Sequence, residues 1–191
     1  MIELVFATNN AHKLAEVQAI VAGKFLLKSL QDIGCDEEIP ETGETFEENA
    51  KQKSDFLVSK YGLNCFGDDS GLEVDALDKE PGVYSARYAG HRDMEKNIDL
   101  VLLKLGDKLH RKARFRTVIS LYFNEQQHFF EGSIEGDIIS ERRGEGGFGY
   151  DPIFVPAGYS KTFAEMTPEE KNEISHRAIA TKKLTDFLNS I

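Results

Sequence analysis

A chain of 191 residues can form one substantial domain that buries on the order of 70% of its extended surface, so it needs no staples to fold. With 40% hydrophobic and 29% charged residues it is not a disordered chain, and no basic leader or long apolar run marks a signal peptide or a membrane span. A net charge of -10, from 23 Lys and Arg against 33 Asp and Glu, argues against a nucleic-acid polymer as partner but leaves room for a small nucleotide held by a few local cations.

Cys35 and Cys65 lack any paired spacing and read as reduced thiols, which points to a cytoplasmic protein. Ile2 to Ala7 is an apolar run suited to a buried strand, and Ala11 to Val21 has helical spacing. Thr8, Asn9 and Asn10 lie at the junction, where small polar groups can cap the helix and bind a ligand at its open amides. Lys13 in the first helical turn opposes the helix dipole, a cost that a bound anion would remove. Phe25 to Leu30 is a second strand, and an acidic connector from Asp36 to Glu44 follows. Thr45 with Glu48 forms the capping box of a helix that ends at Gly62, with Phe46, Ala50, Leu57 and Tyr61 inward. Lys51 and Lys53 on this helix are not told apart by local pattern.

The run Phe66-Gly67-Asp68-Asp69-Ser70-Gly71 reads as a strand that gives way to a turn at two adjacent carboxylates. It serves equally well as a magnesium edge or an acidic surface turn, and a regular strand would send the two side chains to opposite faces. Asp93 caps a helix with an apolar face of Met94, Ile98, Val101, Leu102, Leu105 and Leu109. From Ala113 to Phe123 the period becomes two, and Asn124 to Gln127 turns the chain into a second strand, so an antiparallel hairpin joins the sheet and the fold is mixed α/β. Gly144, Gly146 and Gly147 permit close backbone approach without a Walker ending. Phe148 and Tyr150 after them offer a stacking surface or a packed loop, and Asp151 a hydrogen-bond acceptor. Thr167-Pro168-Glu169-Glu170 starts one helix and Ser175 a longer one with a stripe of Ala180, Leu184, Phe187, Leu188 and Ile191, which places His176 and Arg177 near its first amides.

These separated signals combine into one site hypothesis. Thr8, Asn9 and Asn10 with Lys13 and Lys53 hold phosphates, Glu41 with Asp68 and Asp69 arranges magnesium and water, and Phe148 to Asp151 with Lys171, His176 and Arg177 holds the nucleoside end. Over essentially its whole length the chain resembles the inosine triphosphate pyrophosphatase family. The resemblance runs through Thr8-Asn9-Asn10-Ala11-His12-Lys13, Phe46-Glu47-Glu48-Asn49-Ala50, Asp68-Asp69-Ser70-Gly71-Leu72, Ser85-Ala86-Arg87-Tyr88-Ala89-Gly90, Gly147-Phe148-Gly149-Tyr150-Asp151-Pro152, and Lys171-Asn172 with Ser175-His176-Arg177.

That resemblance implies a single domain over 1–191, with a mixed sheet and two lobes around a central cleft. It implies a magnesium-dependent homodimer that hydrolyses ITP, dITP and XTP to the monophosphate and pyrophosphate. By similarity Asp69 is the water-activating base, Glu41, Asp68 and Asp69 hold the metal, and Lys13, Lys53 and Lys171 engage phosphates. Thr8, Asn9, Asn10, Ser70, Gly149 and Tyr150 join the substrate-binding set, Phe148 stacks on the purine, and Asp151, His176 and Arg177 contact its polar edge. A donor such as Arg177 matches the six-oxo group of hypoxanthine and xanthine and is mispaired against the amino group of adenine. A regulatory nucleotide-binding protein, or a phosphatase releasing orthophosphate, are the competing readings.

Overall fold

The computed structural model describes residues 2–21 and 23–191. Among the described residues eleven α-helices and β-strands follow in chain order. They are β1 (Ile2–Phe6), α1 (Ala11–Val21), β2 (Phe25–Lys28), α2 (Phe46–Tyr61), β3 (Cys65–Val74), α3 (Met94–Leu105), β4 (Lys112–Phe123), β5 (Gln126–Ile138), β6 (Phe154–Pro156), α4 (Pro168–Ile174) and α5 (His176–Leu188). The strands pair in the order β2-β1-β3-β4-β5-β6. β1 runs parallel to β2 and to β3, whereas β5 and β6 are antiparallel. Asn124 and Glu125, both at positive φ, are the whole connection from β4 to β5, and so short a link can join only antiparallel neighbours. The mixed α/β class expected from the sequence is therefore observed.

The chain divides into two compact units, each with its own core. Unit 1 contains 1–69, 117–132 and 177–191. Its larger cluster gathers Leu4, Phe6 and Phe66 from β1 and β3, Val17 and Val21 from α1, Ile119 and Leu121 from β4, and Ala180, Leu184 and Leu188 from α5. Phe6 and Phe66 stack with ring centroids 4.5 Å apart. Unit 2 contains 70–116 and 133–176, and packs Leu72, Val74, Ile98, Val101 and Leu105 against Phe115, Phe154 and Phe163.

The capping boxes at Thr45 and Thr167 form, and Gly62 closes α2 in the left-handed conformation. Three readings need correction. The chain does not turn at Asp68 and Asp69, because β3 continues to Val74 and both carboxylates find buried partners that let the strand carry them inward. α3 ends at Gly106, which leaves Leu109 almost fully exposed, and Met94 at the first turn is half exposed. Ile191 lies beyond the last turn of α5 and faces solvent. β4 also departs from simple alternation, because Val118 and Ser120 are as buried as Ile119 and Leu121. Ser120 Oγ lies 2.8 Å from Ser54 Oγ of α2, so the second face of β4 is covered by a helix.

Candidate active site

The chemistry in unit 1 begins with how closely α2 approaches β3. Gly67 makes that approach possible, since a Cβ there would lie 2.5 Å from Lys53 Cβ and 2.6 Å from the Ala50 carbonyl oxygen. With the helix seated, the inward stripe of α2 presents Asn49 and Lys53 beside Phe46, Ala50 and Leu57. Lys53 Nζ donates to the Asp68 carbonyl at 2.7 Å and pairs with Glu41 at 2.8 Å. Lys51, outside that stripe, pairs with Asp55 at the surface.

The pleat of β3 separates the two aspartates. Asp68 pairs with Lys13 at 2.9 Å and lies 3.5 Å from Arg177 Nε. Arg177 also pairs with Glu16. Burial alone would raise the Asp68 carboxyl, but Lys13, Arg177 and Lys53 outweigh it and hold it down at about 2. Lys13 is pushed down by burial, against the attraction of Asp68. Its misfit with the helix dipole is thus answered inside the protein by Asp68. Asp69 accepts a hydrogen bond from Asn49 Nδ2 at 2.9 Å. Burial pushes its carboxyl above the ordinary range, more than Lys53 and Lys13 pull it back, and Glu41 adds to the rise. Lys53 feels burial downward, yet Asp69, Asp68 and Glu41 together raise it.

At the start of α1, Asn10 Oδ1 accepts from the amides of His12 and Lys13 at 3.0 and 3.1 Å, and Thr8 Oγ1 accepts from the Asn10 amide. The expected cap is present, and it already engages two of the amides that the sequence reading left open for a ligand. Asn9 is exposed.

Unit 2 holds a second set. Asp151 Oδ2 accepts from Lys171 Nζ at 2.7 Å and from the Phe148 amide at 2.9 Å. The Lys171 ammonium lies 4.8 Å from the Phe148 ring centroid, and both members of the ion pair are buried. Glycine is obligatory at Gly147, where φ is +69° and a Cβ would fall 2.1 Å from Asp151 Oδ2. Phe148 and Gly149 are half buried. Tyr150 instead belongs to the core of the unit, with its hydroxyl donating to the Ser85 carbonyl at 2.8 Å, so of the two alternatives for its ring the packed one holds. His176 stacks on Phe115 with centroids 4.7 Å apart. Ser70, half buried in β3, begins this unit.

The structure thus gathers Glu41, Lys13, Lys53, Asp68, Asp69 and Arg177 in unit 1, and Phe148, Asp151 and Lys171 in unit 2. Arg177 lies with the carboxylates of unit 1, although His176, its chain neighbour, lies in unit 2. The sequence reading missed Asn49 as a partner of Asp69 and Glu16 as a partner of Arg177. Asn49 carried a signal, since it sits three residues after Phe46 on the inward stripe, where a polar residue must find buried partners.

Magnesium takes hard oxygen ligands and commonly uses one or two protein carboxylates with substrate phosphates. Glu41 and Asp69 are oxygen donors of that kind, Glu41 paired with Lys53 at 2.8 Å and Asp69 held by Asn49 at 2.9 Å. Among the described residues no group of three or more carboxylate, His or Cys side chains converges on one point, and the Asp68 carboxylate is turned to Lys13.

The mixed α/β fold and its buried carboxylate–cation set belong to a family whose model matches residues 4–187. The chain belongs to the Ham1 family. It is 55% identical to the dITP/XTP pyrophosphatase of Porphyromonas gingivalis over 98% of each chain, and 47% identical to that of Bacillus subtilis over 100% of this chain and 98% of the other. The Ham1 protein of Coxiella burnetii superposes with a TM-score of 0.91 at 40% identity, covering 100% of both chains. The family resemblance read from the sequence is borne out.

Proposed function

We propose that the protein is a nucleoside triphosphate pyrophosphohydrolase that hydrolyses non-standard purine nucleotides (ITP, dITP and XTP) to the monophosphate and pyrophosphate, so removing them from the nucleotide pool. The observation that carries this reading is the division of labour across β3, where one aspartate is held ionised by Lys13 and Arg177 and its neighbour is pushed toward proton acceptance beside Lys53. Relatives named dITP/XTP pyrophosphatases over nearly the whole chain support the substrate class.

In the proposed reaction a water attacks the α-phosphorus and gives its proton to Asp69. The bond from that phosphorus to the bridging oxygen breaks, and pyrophosphate leaves. Lys13, Lys53 and Lys171 bind phosphate oxygens, with Thr8, Asn9, Asn10 and Ser70 as polar contacts. Glu41, Asp68 and Asp69 would hold a magnesium ion, which when bound would polarise the phosphate and neutralise the leaving group. Phe148 stacks on the purine, with Gly149 and Tyr150 shaping its loop, and Asp151, His176 and Arg177 meet the polar edge of the base. The enzyme works as a homodimer in the cytoplasm; no helix among the described residues is long and apolar enough to cross a membrane.

The test is to incubate the purified protein and magnesium with ITP, XTP, ATP and GTP and to resolve monophosphate, diphosphate, pyrophosphate and orthophosphate. IMP or XMP with pyrophosphate is expected. A diphosphate with orthophosphate would move the cleavage site, and binding without turnover would make the protein a regulator.

A further inference from the structure

The segment that follows Glu41 is held to α2 by its own backbone. The Thr42 amide donates to Gln52 Oε1 at 2.9 Å, the Gly43 amide to Asn49 Oδ1 at 2.7 Å, and the Glu44 and Thr45 amides to Glu48 Oε2 at 2.7 and 3.2 Å. Gln52 returns a bond to Thr42 Oγ1 at 2.7 Å. Glu48 is the ordinary capping-box partner, but Asn49 exceeds that role. It is fully buried, and while Oδ1 accepts from Gly43, Nδ2 donates to Asp69 at 2.9 Å. The amide can face only this way, because the Gly43 N–H only donates and so must meet the amide oxygen, which leaves the NH2 for Asp69. The strap is fitted closely around it, since a Cβ on Gly43 would lie 2.9 Å from Asn49 Oδ1 and 2.6 Å from Glu48 Cβ.

We infer that Asn49 is a positioning residue for hydrolysis: one amide sets the orientation of the Asp69 carboxylate and ties it to the strap that places Glu41. No other uncharged side chain of this size offers an acceptor to one element and a donor to another from a planar group. An aspartate of the same shape would set acceptor against acceptor at Asp69. Alanine would release both the carboxylate and the strap. This inference rests on the assignment of Asp69 as the base, and its test separates the two.

The experiment measures ITP turnover with magnesium, in steady state and with excess enzyme in a single turnover, for the wild type, Asn49→Asp, Asn49→Ala, Asp69→Ala and the double variant Asn49→Ala with Asp69→Ala. Circular dichroism checks that each is folded, and Asn49→Ser, which keeps a donor and acceptor on a shorter side chain, replaces Asn49→Asp if that variant does not fold. Asn49→Asp is expected to lower kcat about 10- to 100-fold, the range for residues that orient a working group, with KM little changed. Asn49→Ala should add almost nothing to the loss already caused by Asp69→Ala, because the two act through one carboxylate. A folded Asn49 variant with wild-type kcat, a change confined to KM, or losses that multiply in the double variant would each overturn the inference. A wild type that makes no IMP and pyrophosphate would overturn the functional reading first. If Asp69→Ala keeps full turnover, the base assignment fails and the inference fails with it.

Discussion

Asp68 and Asp69 are chain neighbours that the pleat of β3 sends to opposite faces, into different company. Asp68 is paired with Lys13 and lies beside Arg177, so its removal is felt as lost stability as well as lost metal binding. Asp68→Ala leaves buried cations uncompensated and is expected to cost about 3–5 kcal/mol in urea unfolding. Asp69 carries the larger kinetic burden, and Asp69→Asn, nearly isosteric, is expected to keep the fold while ITP turnover drops about 10²- to 10⁴-fold, the usual contribution of a general base. Arg177→Ala tests the reading of the base. Its ITP-to-ATP preference should fall, and that ratio distinguishes recognition from the loss of rate and stability that follow from breaking its pairs with Glu16 and Asp68. An unchanged ratio would leave Arg177 as a brace for Asp68.

α2 is the element on which unit 1 depends most for its chemistry. Its N-terminus is stitched by the Thr45 capping box, its stripe carries Asn49 and Lys53, and its closeness to β3 is set by the missing side chain of Gly67. Gly67→Ala introduces a methyl group against helix backbone, which cannot rotate away as a flexible side chain would. It is expected to destabilise by about 1–3 kcal/mol, as overpacking does, and to lower turnover further than the stability loss explains, because Lys53 and Asn49 move with the helix. Denaturant midpoints and kcat measured on the same sample check both effects. Cys65 at the start of β3 is a contrasting case, since burial and the nearby Asp55 charge push its thiol up to about 12, and it is expected to resist alkylation in the folded protein.

For the molecule as a whole, several carboxylates lie below their ordinary pKa. Asp32 is lowered by the Ser29 backbone and hydroxyl, Asp93 by the Lys96 amide it caps, Glu170 by Lys161 and the Thr167 amide, Asp75 by Lys79, and Glu80 by Lys104 and Tyr88. Each binds a proton less readily folded than unfolded. Their contribution is therefore complete above the unfolded carboxyl pKa of about 4 and is lost as pH falls through the lower folded values. Melting temperature is expected to hold from neutrality to about pH 5 and then to fall, whereas a flat profile to pH 3 would contradict it.

The amino-acid sequence by itself determined the mixed α/β class, the capping boxes at Thr45 and Thr167, the β4–β5 hairpin and the family, because periodicity, caps and turns are local and the family motifs are ordered along the chain. It was legible that Lys13, Asp68, Asp69, Lys171 and Arg177 were chemically suspicious, but not which of them would meet. Lys51 and Lys53 looked alike until packing exposed one and buried the other against Glu41. Asn49 looked like part of a helix start until Asp69 and Gly43 were found at its two amide atoms. Only the tertiary structure decided that Asp68 is ionised and braced while Asp69 is raised. A carboxyl takes its charge state from desolvation and from cations that lie far from it in sequence, and these are brought near only when the elements pack.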